Sequence, residues 1–283
     1  MPSPIKAVIA DVDGVMVGRQ EGVNFPLPHR DVIKVLRQIA QNGTPIVLCT
    51  AKFRAGIDDI IIQAHLKNPH ITDGGALITN PLGEKKIVRQ SVIDEQVVQD
   101  YLVRNPAVTE LYTLTNYFVQ KDSYAEVIQK HAKILRMEPI IVKSLADAAS
   151  KNPIIKIISF ADKNDMPEVE ERLKRLDGRL SFIWTQHPFI VPSRICVMTA
   201  PGVSKEHAAK EVAKYIDVPL DEILGIGDSV ADWGFMKLCG YAATVGDDQK
   251  LRQSVESKGA GHYFQASSVD DHGLLAIFEH FGL

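Results

Sequence analysis

Ile5-Lys6-Ala7-Val8-Ile9-Ala10-Asp11-Val12-Asp13-Gly14 is a short apolar run that stops abruptly on two carboxylates and a glycine. It reads as a buried strand delivering polar side chains at its carboxyl end, where α/β proteins place their sites. Outward from it, Val32, Val35, Leu36 and Ile39 recur at helical spacing, and Gly43 stands where a helix would end. Pro45-Ile46-Val47-Leu48-Cys49 is a second apolar run; it ends in Thr50-Ala51-Lys52 and leads to a helical pattern through Ile57, Ile60, Ile61 and His65. Strand, helix, strand, helix predicts a parallel sheet.

From Leu82 to Val191 the texture changes. Strand-like runs at 111–120, 139–142, 154–160 and 180–184 separate helical patterns carried by Val97, Val98, Leu102, by Ala125, Ile128, Ala132, Leu135, and by Val169, Leu173, Leu176. The α/β alternation then resumes with a helix over 205–216, the strand Ile223-Leu224-Gly225-Ile226-Gly227, a loop to Asp232, a helix to Cys239 and a strand over 242–245. The expected fold is α/β: a Rossmann-like parallel-sheet core made of residues 1–82 and 191–283, with an α+β domain, 83–190, inserted into it.

The 283 residues are 45% hydrophobic and 24% charged, values of a folded globular chain rather than a disordered or fibrous one. A net charge of -3 leaves no basic excess for a phosphate backbone or an anionic bilayer, so neither nucleic acid nor membrane is an expected partner. No apolar run reaches the roughly 18 residues of a membrane span, and Met1 to Lys6 lacks a leader's layout, so the expected location is cytoplasmic. The three cysteines, Cys49, Cys196 and Cys239, are odd in number and far apart, which suggests buried apolar residues rather than a disulfide or zinc framework.

Polar groups cluster at the ends of the core elements: Asp11, Asp13, Thr50, Lys205, Asp228 and Asp232. An Asp-x-Asp-Gly taken singly is commonly just a turn. Two carboxylates two residues apart, joined by a third from another strand, make a hard oxygen site with the charge to hold Mg²⁺. A lysine beside them would screen a carboxylate nucleophile and a phosphoryl group, while a threonine hydroxyl would hold a phosphoryl oxygen. One carboxylate can attack phosphorus while a second serves as acid and base.

Together these segments resemble the motifs of the haloacid dehalogenase superfamily, in the phosphatase subgroup (sugar-phosphatase type) that carries a large α/β cap between its second and third motifs. Ala10 to Val15 resembles the first motif, Leu48 to Lys52 the second, Gly202 to Glu206 the third and Gly225 to Asp232 the fourth; Ile71 to Ile78 resembles the segment that precedes the cap. The resemblance implies that Asp11 is the nucleophile, Asp13 the general acid/base, and Thr50 and Lys205 the phosphate-holding pair. Lys52, itself a departure from the family pattern, is a candidate point charge for substrate phosphate, with a solvated lysine as the alternative. The resemblance also implies that Mg²⁺ binds the Asp11 and Asp228 carboxylates and the Asp13 carbonyl, Asp232 steadying the site, and that residues 18–25 form a flap. The expected substrate is a small phosphorylated metabolite, and the expected assembly a monomer or homodimer. A phosphomutase and a weakened phospho-ligand-binding module are the alternatives.

Four positions depart from the pattern: Ala231 replaces Asn, Val15 replaces Thr, Ala51-Lys52 replaces Gly-Arg, and Gly74 replaces Asn. None removes a group that makes or breaks a bond. In the cap, Asn116, Tyr117, His187 and Arg194 are candidate substrate readers, weighed against ordinary packing or exposure, and Met236 is expected to fill core space.

Overall fold

The computed structural model describes residues 5–105, 107–123, 126–176, 178–185 and 190–283, and the chain divides into two compact units. The first unit comprises the residues up to Ala51, Ile57–Arg89 and Ser204–Leu283; the second comprises Lys52–Gly56 and Gln90–Val203.

The first unit opens with β1 (Ala7–Ala10), α1 (Arg30–Gln41), β2 (Ile46–Leu48) and α2 (Ala55–Ala64). Helix α1 buries Val32, Ile33, Leu36 and Ile39 and keeps its charged residues outward, as its 3.6-residue apolar spacing requires. A small sheet follows, with β3 (His70–Thr72), β4 (Leu77–Thr79) and β5 (Ile87–Gln90) in that order.

The second unit holds α3 (Glu95–Leu102), β6 (Val108–Tyr112), β7 (Tyr117–Gln120), α4 (Glu126–Leu135), β8 (Ile140–Val142), α5 (Leu145–Ala149), β9 (Lys156–Ala161), α6 (Met166–Arg175), β10 (Ser181–Thr185) and β11 (Arg194–Thr199). Its six strands run in the order β10-β11-β9-β6-β7-β8. One face of this sheet, through Leu111, Phe118, Ile157, Cys196 and Met198, packs with residues of α3, α5 and α6 into a core of its own. The stretch 111–120, expected as one strand, is a hairpin, because Thr113 to Asn116 form a hydrogen-bonded turn and Tyr112 pairs with Tyr117.

The chain returns to the first unit with α7 (Lys205–Tyr215), β12 (Ile223–Gly227), α8 (Trp233–Met236), β13 (Tyr241–Val245), α9 (Gln249–Glu256), β14 (Tyr263–Ala266) and α10 (Gly273–Phe281). The main sheet is wholly parallel, ordered β14-β13-β12-β1-β2. Its two faces carry separate apolar layers, one built on Val8, Ala10 and Ile226 and the other on Ala7, Ile9 and Val47. Alternation along β1 sends successive residues to opposite layers, which is why all four of its residues are buried.

The division of the chain falls later than the 82/83 and 190/191 boundaries read from sequence. Strand β11 pairs along its whole length with β9 and β10, so it belongs to the second unit's sheet rather than to the core. The cysteines are all buried and unbridged, and no helix among the described residues is long and apolar enough to cross a membrane.

Candidate active site

Strand β1 has β2 on one side and β12 on the other, so the strand order reverses at β1. The crevice at the carboxyl ends of such a switch point is where open α/β sheets bind ligands. Asp11 follows β1, Thr50 follows β2 and Asp228 follows β12, so strand pairing alone brings the three together. The Asp11 amide is fixed by donating to the Ile226 carbonyl, 2.9 Å, and the Cys49 amide donates to the Ala10 carbonyl, 2.8 Å.

Lys205 enters as the first residue of α7, whose N-cap Ser204 accepts from the His207 amide at 3.0 Å. Its Nζ donates to Asp11 Oδ1 at 2.9 Å and to Asp232 Oδ1 at 2.8 Å. Asp232 Oδ2 accepts from the Asp228 amide at 3.3 Å, so one carboxylate ties the lysine to the loop after β12. Carboxylate oxygens of Asp11, Asp228 and Asp232 lie within 4.8 Å of one another. An all-carboxylate set of this kind suits a hard divalent cation.

Gly14 shows why the loop after β1 needs a glycine. Its φ is +75°, and a Cβ there would stand 2.0 Å from Asp228 Oδ2. The Asp228 carboxylate is therefore pressed against the backbone of the loop after β1. The Asp13 side chain is exposed and is not part of the carboxylate cluster.

Crowding three acids around one lysine shapes the titration. Burial pushes the Asp11 carboxyl up to about 8; Lys205 pulls it back, and the Asp232, Asp13 and Asp228 charges push it further up. Burial also lifts Asp228 to about 7, with Asp232 adding to the shift. Burial works against the Lys205 charge, but Asp11 and Asp232 outweigh it and hold the ammonium group more firmly charged than usual. One lysine cannot neutralise the acids; a divalent cation among them would favour their ionised forms.

Thr50 is buried at the end of β2, its amide donating to the Ile71 carbonyl at 2.9 Å. Lys52 is half-buried and groups with the second unit. The departures from the family pattern have local explanations. Val15 is buried in the core. Ala231 is exposed, and its loop is held by Asp232 N–H to the Ser229 carbonyl and by Val230 N–H to Asp248 Oδ2. Gly74 has a φ of +67°, a conformation that asparagine and glycine both tolerate. Met236 fills the core as expected.

In the second unit, Tyr117 is buried, stacks on Tyr112 and donates to the Met137 carbonyl at 2.8 Å, so it packs rather than reads a ligand. Asn116 and Arg194 are half-buried, and His187 lies outside the described residues. Sequence reasoning missed a buried polar group on the sheet face opposite that unit's core. Glu110 Oε2 meets His131 Nδ1 at 2.8 Å and accepts from Tyr112, and Lys156 Nζ stands 4.4 Å from the Tyr112 ring centroid. The signal was available: Glu110 and Tyr112 alternate with Leu111 along one strand, which puts them on one face together.

A profile of haloacid dehalogenase-like hydrolases matches residues 8–261. Among curated proteins, one from Haemophilus influenzae is 23% identical over 280 residues, with 97% of each chain covered. Phosphatase YwpJ of Bacillus subtilis is 20% identical over 303 residues, covering 98% of this chain and 99% of that protein. Among solved structures, a haloacid dehalogenase-like hydrolase from Bacteroides thetaiotaomicron superposes with a TM-score of 0.81 at 18% identity, covering 97% of this chain and 98% of the other. The HAD subclass IIB sugar phosphatase BT4131 gives 0.76 at 18% identity, covering 98% and 99%. The profile extends over the first unit's strands from β1 to β13 and the whole insertion between them, and by that match the chain belongs to the haloacid dehalogenase-like hydrolases.

Proposed function

We propose that the protein is a Mg²⁺-dependent phosphatase that hydrolyses small phosphate monoesters through an aspartyl-phosphate. The observation that carries this reading is the placement of Asp11 at the switch point with Oδ1 2.9 Å from Lys205 Nζ, amid the Asp228 and Asp232 carboxylates. The names of two similar proteins, phosphatase YwpJ and the sugar phosphatase BT4131, support it and favour a sugar phosphate as substrate.

In this reading an Asp11 carboxylate oxygen attacks phosphorus, and the bond from phosphorus to the ester oxygen breaks. The leaving alkoxide takes a proton from Asp13, whose exposed side chain can meet an incoming ligand. Water then attacks the phosphoryl group, gives a proton to Asp13, and releases inorganic phosphate and free Asp11. Lys205 and the Thr50 hydroxyl hold phosphoryl oxygens, and Lys205 also screens Asp11 from the incoming anion. Asp11, Asp228 and the Asp13 carbonyl would hold Mg²⁺, with Asp232 orienting Lys205 and the loop; the cation supplies positive charge to the phosphoryl oxygens and to the crowded acids. The second unit, residues 90–203, acts as the cap that selects the substrate.

Phosphate release from sugar phosphates, nucleotides and phosphoglycolate, with and without Mg²⁺ and beside Asp11→Asn, tests the reading. Metal-dependent release that disappears in the variant, with the fold retained, is expected. Turnover by Asp11→Asn equal to that of the parent protein would overturn the nucleophile's assignment.

A further inference from the structure

The residues that hold the phosphoryl group in this reading, Thr50 and Lys205, come from segments separated by the whole inserted unit. Their relative position must nevertheless be set closely, because both address oxygens of one small group. The turn between β3 and β4 supplies a physical link. Asp73, Gly74 and Gly75 are three successive residues in the left-handed region, with φ of +53°, +67° and +102°. Left-handed backbone in a non-glycine residue is strained and persists only where its surroundings impose it.

One end of this turn grips the strand that carries Thr50. The Gly74 amide donates to the Thr50 carbonyl at 3.1 Å, and the Thr50 amide donates to the Ile71 carbonyl at 2.9 Å. Two residues earlier, the Leu48 amide donates to His70 Nδ1 at 3.2 Å. The Thr50 backbone is thus clamped on both sides of its Cα by residues 71 and 74. The other end abuts the start of α7. A Cβ at Gly75 would lie 2.3 Å from the Ser204 carbonyl oxygen, 2.6 Å from its carbon and 3.1 Å from the Lys205 amide nitrogen. The absence of a side chain at Gly75 is what lets these backbones meet. Every residue in the chain of contacts belongs to the first unit.

We propose that Asp73-Gly74-Gly75 is a positioning strut that fixes Thr50 relative to Lys205. The proposal rests on the phosphatase reading for the chemistry of those two side chains and on the backbone contacts for the strut. The residues of the turn touch no substrate; they act through Thr50 and Lys205.

Gly74 and Gly75 provide a matched pair for the test. Alanine at either position meets left-handed strain, but a Cβ at Gly74 has nothing within 4 Å, whereas at Gly75 it collides with the backbone of Ser204. Both variants should lower Tm. Measured where each is fully folded, Gly75→Ala is expected to lose about 100-fold in kcat/KM and to bind inorganic phosphate correspondingly more weakly as a competitive inhibitor, while Gly74→Ala stays within about threefold of the parent protein. Equal losses in the two variants, or unchanged phosphate affinity in Gly75→Ala, would overturn the strut.

Hydrogen exchange on the unaltered protein gives a second reading that does not require Gly75→Ala to fold. Saturation with inorganic phosphate and Mg²⁺ should slow the amides of residues 73–76, and unchanged exchange there counts against the strut. An active parent enzyme silenced by Asp11→Asn, with Gly74→Ala and Gly75→Ala alike, sinks the strut alone. A parent protein that releases no phosphate sinks the functional reading.

Discussion

Asp232 has both oxygens engaged: Oδ1 accepts from Lys205 and Oδ2 from the Asp228 amide. It is almost fully buried, so neither bond can be replaced by bulk water. Asp232→Asn keeps the volume but offers only one acceptor, leaving either the lysine or the amide facing an NH₂ group. We expect kcat/KM and apparent Mg²⁺ affinity to fall by about 10- to 100-fold with the fold retained, read from metal titrations of phosphate release. Retention of full Mg²⁺ affinity would mean that Asp232 steadies neither the lysine nor the metal loop. That Asp11, Thr50, Lys205 and Asp228 gather at one end of the sheet was legible in the sequence, because each stands just after a strand or at the start of a helix. The double engagement of Asp232 was not, since it depends on a lysine nearly thirty residues earlier in the chain turning toward the same carboxylate.

Helices α9 and α10 and the edge strand β14 were not read from the sequence, but the main sheet was legible from β1 to β13 where apolar runs are continuous and helices periodic, as in β1 and α1. The second unit was less so. The run 111–120 conceals a turn at residues 113–116 with neither glycine nor proline in it, built on Thr113 Oγ1 accepting from the Asn116 amide at 3.1 Å. Strand β11 was not read as an element, and its pairing with β9 and β10 assigns residues 194–199 to the second unit rather than to the core. The segment after β1 was expected as a flap, but what anchors it lies near the other end of the chain. Asp270 Oδ1 accepts from Asn24 Nδ2 at 2.6 Å and from the Arg19 amide at 3.3 Å. Asp270→Ala should cost about 1 kcal/mol and speed hydrogen exchange at residues 18–24 while leaving β1 and β12 protected. Unaltered exchange in 18–24 would show that the segment is held by its own turn contacts instead.

For the molecule as a whole, the lifted carboxyls make stability depend on pH and on metal together. Between the ordinary value of 3.8 and the lifted values of about 8 and 7, folded Asp11 and Asp228 bind more protons than they do in the unfolded chain. Their contribution to stability is therefore full at low pH and is lost as pH rises through 7 to 8. Mg²⁺ competes with those protons, so the rise in Tm that it produces should be larger at pH 8 than at pH 6. A thermal-shift series over that range checks this, and a metal effect independent of pH would remove the three-acid site from consideration.

The pairing of β1 also bears on how the chain is born. Ala7 forms its ladder with Ile223, whereas the second unit closes almost entirely on residues 90–203. As the ribosome works from the amino end, the inserted unit can complete its core while β1 still lacks one of its two neighbours. Asp11 and Thr50 precede the inserted unit along the chain, whereas Asp228 and Asp232 follow it. A nascent or truncated chain that stops within the inserted unit thus carries Asp11 without the Asp228 and Asp232 carboxylates that surround it, and the three-acid cluster arrives only with the closing strands.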